Sequence, residues 1–188
     1  QPAHSSQHGD PRDHVFSDRQ IAYFRERAKG GVALSVTETV AAARSAVGSF
    51  FNVVDVYNEA CIPSMERLGE AVHEHGGRIM VQLASMGAHD KGRMFIDRPK
   101  PIWGASRIPS LMHNEIPQVM GPKELKELAH DFGVSAANVK RGGLDGVELH
   151  GAHSYGLAQF LSPTYNKRTD DYGGSPTKRC RLMIDCAE

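Results

Sequence analysis

Residues 136–153 read AANVKRGGLDGVELHGAH, and this stretch decides the fold. A helical run ends at a glycine pair, a short apolar segment follows at once, and polar side chains come directly after it. The same order occurs twice earlier in the chain, around the pairs Gly30-Gly31 and Gly76-Gly77. Strands that are apolar throughout are typical of parallel sheets whose two faces are both covered. The sequence therefore predicts an α/β fold in which helices alternate with parallel strands.

Three strands and four helices are predicted from this pattern. The strands are residues 30–40, 78–84 and 144–151. The helices fall within residues 17–30, 58–77, 121–143 and 175–188, where apolar residues recur with a period of 3.6. Ser17 is the expected N-cap of the first helix and Gly30 its expected stop. The Pro- and Gly-bearing residues 85–121 are too long for an ordinary connection, which predicts a functional loop.

Polar residues gather at the C-terminal ends of the predicted strands. Glu38 and Thr39 lie near the end of the first strand and Gln82 near the end of the second. His150 lies near the end of the third. A doubly wound sheet and a (β/α)8 TIM barrel both fit the alternation, but in a barrel these ends converge on one mouth, where active sites lie. We therefore expect a partial (β/α)8 barrel: three strands cannot close an eight-stranded barrel, so residues 1–188 form a single-domain piece of a longer protein.

The composition excludes several classes of protein. Of 188 residues, 40% are hydrophobic and 23% charged, with a net charge of +0, which is ordinary for a globular protein and leaves no electrostatic footprint for nucleic acid or an anionic membrane. No apolar run approaches the ~20 residues that span a bilayer. The cysteines Cys61, Cys180 and Cys186 form no C-x-x-C pair. We expect reduced thiols, a cytoplasmic location, and no nucleic-acid or membrane partner.

Two histidines and a tyrosine fall within six positions at the end of the third strand. His150 and His153 can point two N–H donors at one oxygen, which withdraws electron density from a conjugated double bond. Tyr155 can give a proton after hydride transfer, because a phenol with a pKa near ~10 is protonated at neutral pH. A metal pair, or a structural role with hydrogen bonds to the backbone, are the alternatives. The spacing is not H-E-x-x-H and no third ligand stands nearby in a known metal pattern, which disfavours a metal.

Two further features belong to the same region. Gln82 offers both a donor and an acceptor, which suits the polar edge of a ring such as a flavin pyrimidine, although a glutamine at a strand end often only caps backbone groups. Residues 161–175, LSPTYNKRTDDYGGS, predict a compact turn in which Arg168 pairs with Asp170 or Asp171. We interpret this turn as a scaffold above the barrel mouth.

Residues 145–175, DGVELHGAHSYGLAQFLSPTYNKRTDDYGGS, closely resemble the signature of the old yellow enzyme family. These are NADH:flavin oxidoreductases that hold FMN in a (β/α)8 barrel. The stretches GGVALSVTE, RIMVQLA and IPQVMGPKEL also fall in the family's order, so the resemblance covers essentially all 188 residues. It implies the N-terminal part of the barrel, without the family's first strand, its later strands and its phosphate site. We expect this piece alone to be inactive and to bind FMN weakly.

The resemblance assigns roles to individual residues. His150 and His153 match the family's substrate-binding pair, and Tyr155 matches its proton-donor tyrosine. The residues that it places at the flavin are Pro2, Thr39 beside the ring, Gln82 on the pyrimidine, and His150. The residues that it places at the substrate are His4, His150 and His153.

Departures from the family pattern bear on the reaction. Many members carry a histidine and an arginine where this chain has Ser85 and Ala88, and Gly156 replaces the usual leucine after the tyrosine. The GAHSY stretch is similar to the branch that contains trimethylamine dehydrogenase. In the amine dehydrogenases of that branch a tyrosine stands at the position of His150, so a histidine there favours a carbonyl or carboxylate over a cationic amine.

The resemblance implies an FMN-dependent oxidoreductase that passes hydride from NAD(P)H through the flavin to an activated C=C bond of a small molecule. The alternative is flavin-dependent oxidative N-demethylation of a methylated amine or amino acid. A 4Fe-4S cluster is implied only for a C-terminal part beyond these residues, since Cys180 and Cys186 lack its spacing. Two rival classes are a metal-dependent barrel hydrolase built on His150, His153 and Glu148, and a barrel that only binds a ligand.

Overall fold

The computed structural model describes residues 1–46, 53–90, 100–110 and 114–188. Helices and strands alternate along the chain within these ranges, with short 3-10 turns between several of them. In chain order the elements are α1 (Asp18–Lys29), β1 (Leu34–Ala41), α2 (Ile62–His73), β2 (Arg78–Ala84), β3 (Trp103–Gly104), β4 (Gln118–Val119), α3 (Pro122–Arg141), β5 (Gly146–Leu149), α4 (Gly156–Leu161) and α5 (Pro176–Asp185).

Three of the strands form one parallel sheet in the order β1-β2-β5. Because neighbouring strands run parallel, their C-terminal ends lie at the same edge of the sheet. In this register Thr39 lies opposite Gln82, and Gln82 lies opposite Glu148. The predicted α/β fold with parallel strands is confirmed.

The start of the first strand differs from the prediction. Residue 30 was the expected start, yet β1 begins at Leu34. Gly30 instead ends α1, its N–H bonded to the carbonyl oxygen of Glu26 at 3.0 Å. Gly31 then adopts a φ of 91°, which suits glycine and redirects the chain toward the sheet. The glycine pair therefore terminates the helix and does not belong to the strand.

The helices pack on the sheet around the main hydrophobic core of the described residues. Ser17 caps α1 as expected, since its hydroxyl accepts the Gln20 backbone N–H at 3.1 Å. Helix α1 packs on α2, and α2 and α3 both contact β2. The largest fully buried side chains of this core include Phe16, Phe24, Phe132, Phe160, Met65, Leu68, Ile79 and Leu83. Across the described ranges, no helix is both long and apolar enough to cross a membrane.

The structure contains two elements that the periodicity does not predict. One is α4, and the other is a two-stranded parallel ribbon formed by β3 and β4. With six residues in α4 and two in each ribbon strand, neither is long enough to show an apolar period. The ribbon lies within the predicted functional loop 85–121, of which residues 91–99 and 111–113 lie outside the described residues.

Candidate active site

A row of three polar side chains crosses the sheet, one from each strand. Thr39 Oγ1 donates to Gln82 Oε1 at 2.8 Å, and Gln82 Nε2 donates to Glu148 Oε1 at 2.5 Å. A carboxylate can only accept hydrogen bonds, so Glu148 fixes which way the Gln82 amide faces. The amide keeps one further N–H and one further lone pair to offer. We refer to these residues as the Thr39–Gln82–Glu148 row.

His150 is a buried residue directly after β5, and its imidazole has one defined tautomer. Its backbone N–H bonds to Leu83 O at 2.9 Å, and its Nδ1 accepts the Ala152 N–H at 3.2 Å. The imidazole hydrogen must therefore lie on Nε2, which is 3.1 Å from His153 Nδ1. Burial and the neighbouring His153 lower the pKa of His150, so that it is neutral at pH 7. His150 thus donates to His153, and the two rings already meet at the atoms that would bind a shared oxygen.

The turn after β5 has an unusual backbone. His153 and Ser154 have φ values of 54° and 57°, in the left-handed region that costs a non-glycine residue on the order of 1 kcal/mol. Gln159 on α4 secures this turn: its Nε2 donates to Ser154 O at 2.6 Å. Its Oε1 accepts the Ala88 N–H at 2.9 Å. Gln159 therefore joins the turn after β5 to the turn after β2.

Tyr155 lies against both histidines. The centroid of its ring is 4.9 Å from that of His150 and 6.0 Å from that of His153. Burial raises the pKa of Tyr155 above its usual value, so the phenol is protonated at neutral pH. The structure thus brings together the three residues that the sequence predicts to be catalytic, which we call the His150–His153–Tyr155 group.

Sequence reasoning missed His89, which borders this group. Its ring lies edge-to-face on Tyr155 with centroids 5.8 Å apart, and edge-to-face on Tyr165 at 6.2 Å. His89 is buried, and its Nδ1 is 2.5 Å from the hydroxyl of buried Ser110. It belongs to the 3-10 turn Gly87–His89 directly after β2. The sequence held one signal for His89 as a site residue. His89 follows the second predicted strand, at the same edge of the sheet as His150.

Two predicted site residues lie in the opening segment of the chain. Pro2 and His4 are exposed. Within the described part of the chain, neither forms a hydrogen bond or a ring contact with the His150–His153–Tyr155 group. The segment runs beside β1, where the Val36 N–H bonds to Gln1 O at 3.0 Å. Their places beside the flavin and the substrate stay predictions.

Glu38 lies within β1 and makes structural contacts there. Its buried carboxylate accepts the backbone N–H groups of Ser6 at 2.9 Å and Gln7 at 2.8 Å. Gln20 Nε2 donates to it at 2.6 Å. Glu38 therefore anchors the opening segment against β1 and α1.

Arg168 holds the loop after α4 as the sequence predicts. It pairs with Asp170 through two nitrogens, with Nε at 3.0 Å from Oδ1, whereas Asp171 bonds to Lys178. A third nitrogen, Nη1, donates to the carbonyl oxygen of Met120 at 2.7 Å, just beyond β4. The guanidinium thus connects this loop to the ribbon, and the predicted pair of Arg168 with Asp170 is confirmed.

Three kinds of functional group lie at this edge of the sheet. The Thr39–Gln82–Glu148 row presents an amide donor and acceptor, the two imidazoles present a hydrogen-bonding pair, and Tyr155 presents an acid. Among the residues that the structure describes, no three His, Cys, Asp or Glu side chains are arranged to hold a metal ion. The arrangement suits binding a polar ring edge next to a substrate oxygen, with a proton source close by.

A model of the NADH:flavin oxidoreductase / NADH oxidase family matches residues 1–188. The chain belongs to this family. It is 33% identical over 178 residues to the multifunctional alkene reductase/demethylase OYE of Caballeronia cordobensis, covering 94% of this chain and 26% of that protein. It is 32% identical over 174 residues to an NADPH dehydrogenase of Listeria monocytogenes serotype 4a, covering 93% of this chain and 49% of that protein.

The solved structures extend the family assignment to the fold. Old yellow enzyme from Pichia sp. AKU4542 superposes with a TM-score of 0.88 and 26% identity, over 98% of this chain and 50% of that one. The resemblance to old yellow enzymes and the α/β fold of their TIM barrels are thus confirmed. The chain spans a quarter to a half of the length of these family members.

Proposed function

We propose that the protein is an FMN-dependent oxidoreductase that passes hydride from NAD(P)H through the flavin to an activated C=C bond. The observation that carries the proposal is that one sheet edge presents the Gln82 amide together with the His150–His153–Tyr155 group. Residues 1–188 would then form part of a single FMN-binding barrel domain. The three free cysteines favour a cytoplasmic location.

The Thr39–Gln82–Glu148 row fits an FMN pyrimidine ring. That ring edge alternates carbonyl acceptors with an N–H donor, and the oriented amide of Gln82 offers one group of each kind. Thr39 and His150 would line the same site, and Pro2 is assigned to it by family resemblance. FMN held by these residues would supply the transfer of hydride from NAD(P)H to the alkene.

His150 and His153 would bind the oxygen that activates the alkene. The Nε2–H of His150 now bonds to His153 Nδ1, so an incoming oxygen takes over that donor. For His153 to donate as well, its Nδ1 must carry hydrogen, through the other tautomer or by protonation. Two donors on one oxygen withdraw electron density from the double bond and stabilise the enolate-like transition state. His4 would contact the substrate from the opening segment.

Tyr155 would complete the reduction by giving its phenolic proton to the α-carbon. Hydride at the β-carbon and a proton at the α-carbon together saturate the double bond, and the tyrosinate regains a proton from solvent. The raised pKa of Tyr155 keeps the proton available at neutral pH. The acid lies 4.9 Å, ring to ring, from the histidine that binds the activating oxygen.

The test uses the purified full-length protein and anaerobic stopped-flow absorbance of the flavin. We expect Tyr155→Phe to slow flavin reoxidation by 2-cyclohexenone by about 10²–10⁴-fold, the usual loss for a positioned acid, while reduction by NAD(P)H stays unchanged. His153→Asn is the variant to compare with Tyr155→Phe. Asparagine tolerates the positive φ of this position, and its side-chain amide always carries an N–H donor, whereas His153 must change tautomer to present one. It should retain most of the activity. A colourless protein that takes up no added FMN would refute the flavin assignment.

Oxidative N-demethylation is the second candidate, since the relative from Caballeronia cordobensis is named as both an alkene reductase and a demethylase. In that reaction the amine reduces the flavin, and the histidines would hold a carboxylate beside the amine nitrogen. No carbon is protonated, so Tyr155→Phe should matter little. If an N-methylated amino acid bleaches the flavin quickly and NAD(P)H does not, ene reduction is the wrong assignment.

A further inference from the structure

Imidazoles from two separate parts of the chain contact the Tyr155 ring. His150 and His153 precede it in the turn after β5, whereas His89 reaches it from the turn after β2. The planes of the His89 and Tyr155 rings meet at 79°, and their centroids are 5.8 Å apart. Edge-to-face contacts between rings favour one mutual orientation of the two planes.

His89 is itself held in place from several directions. Its Nδ1 and the Ser110 hydroxyl are 2.5 Å apart, and Ser110 is 1% exposed, so rotation of the imidazole would leave a buried hydroxyl without this bond. The backbone N–H of His89 bonds to Met86 O at 3.2 Å. Its ring also meets Tyr165 edge-to-face. The imidazole is therefore a fixed support.

We propose that His89 is a positioning residue for Tyr155, holding the phenol in the orientation from which its proton reaches the substrate carbon. The proposal rests on the proposed role of Tyr155 as the acid. Rotation of a tyrosine about its first side-chain torsion moves the phenolic oxygen, so contacts against the ring are needed to keep that oxygen in one place. His150 and His153 contact the ring from the turn after β5, and His89 contacts it from the turn after β2.

The expected effect is confined to the step that uses the proton. A misplacement of a reacting group by about 1 Å costs on the order of 10²-fold in rate. We expect His89→Ala in the full-length, flavin-loaded protein to slow reoxidation by 2-cyclohexenone by about 10–10²-fold, with reduction by NAD(P)H unchanged. His89→Phe keeps an aromatic edge against Tyr155 but loses the bond to Ser110. It should recover part of the rate.

His75→Ala is the matched control, because His75 is an exposed histidine just after α2. It should leave both half-reactions at the wild-type rate. In a Tyr155→Phe background, His89→Ala should cause no further loss of reoxidation rate, since the group that it positions is gone. An equal loss in both backgrounds would overturn the proposal, because His89 would then act independently of Tyr155.

NMR of protein labelled with ¹³Cζ-tyrosine provides a readout that does not depend on the reaction. The Tyr155 resonance is identified by its absence in Tyr155→Phe. We expect His89→Ala to shift or broaden that resonance at a temperature where the variant is folded, and His75→Ala to leave it unchanged. An unmoved resonance overturns the proposal. If Tyr155→Phe itself fails to slow reoxidation, the acid role fails, and the resonance still decides whether His89 orients the ring.

Discussion

Asp55 is a buried carboxylate whose Oδ1 accepts no hydrogen bond within the described part of the chain. Burial raises its pKa to about 6, although the charges of His14 and Lys100 oppose the shift. The folded protein therefore holds this proton more tightly than the unfolded chain, whose aspartate has a pKa near 3.8. The stability that protonated Asp55 contributes is fully present below about pH 4 and is lost as the pH rises through about 6.

We predict that Asp55→Asn raises the free energy of unfolding of the full-length protein by about 2–3 kcal/mol at pH 7.5 and changes it little at pH 4. Urea unfolding at the two pH values measures the difference. Asp13→Asn is the control, because Asp13 is an exposed carboxylate nearby. A loss of stability from Asp55→Asn at pH 7.5 would show that the charged carboxylate is stabilising and would contradict the prediction.

At the residue scale, the sequence predicts the parts of the site that lie close together in the chain. His150, His153 and Tyr155 follow one strand, so their proximity follows from the spacing. His89 reaches the same place only because β2 and β5 are neighbours, and the sequence does not state which strands pair. The tautomer of His150 depends on the Ala152 N–H, a local backbone bond that no residue pattern reveals.

Helix α4 is short, and its contribution is to carry Gln159 to the turn Gly87–His89. We predict that Gln159→Leu destabilises the full-length protein by about 1–3 kcal/mol, because the buried Ala88 N–H loses its acceptor. It should also slow flavin reoxidation by alkene, because the turns that carry His89 and Tyr155 are no longer joined. Thermal unfolding and stopped-flow absorbance measure the two effects.

Gln159→Glu keeps the acceptor for the Ala88 N–H but removes the donor to Ser154 O. Because Gln159 is buried, the carboxylate would place an unpaired charge against carbonyl oxygens, so the loss of stability should be at least as large as for Gln159→Leu. If both variants retain the wild-type stability and reoxidation rate, Gln159 does not join the turns in the way described.

At the element scale, long periodic segments are predictable and short ones are not. The apolar period indicated α1, α2, α3 and α5, and RIMVQLA matches β2 residue for residue. Helix α4 and the ribbon strands depend on tertiary contacts, such as the bond from Arg168 to Met120 O, which become visible only in the folded chain. The predicted start of β1 was wrong because a glycine pair that follows a helix can either end the helix or begin the strand.

For the whole molecule, the three-stranded sheet defines what residues 1–188 can do alone. In the described structure β5 pairs only with β2, which leaves its other edge without a strand partner. Unpaired edges and uncovered apolar surface promote association with other chains. We predict that these 188 residues, expressed alone, self-associate and lose FMN on gel filtration, whereas the full-length protein keeps it. A monomeric 188-residue chain that melts cooperatively with bound flavin would contradict this.

The parallel arrangement was predictable at this scale because the three strands are rich in apolar residues, show no regular polar alternation and are separated by helices. That the sheet belongs to a barrel does not follow from three strands, since a doubly wound sheet has the same local geometry. The superposition on an old yellow enzyme supplies that information. The family signature in residues 145–175 already implied it.

The Thr39–Gln82–Glu148 row has a direction, and that direction constrains how the sequence can drift over evolutionary time. Its members are 43 and 66 residues apart, yet each hydrogen points toward β5. A hydroxyl can donate or accept, so position 39 can exchange Thr for Ser freely. Replacing Glu148 by a donor would turn the Gln82 amide around and exchange the groups that it shows to a bound ring. In related lineages, positions 82 and 148 should therefore change together or not at all.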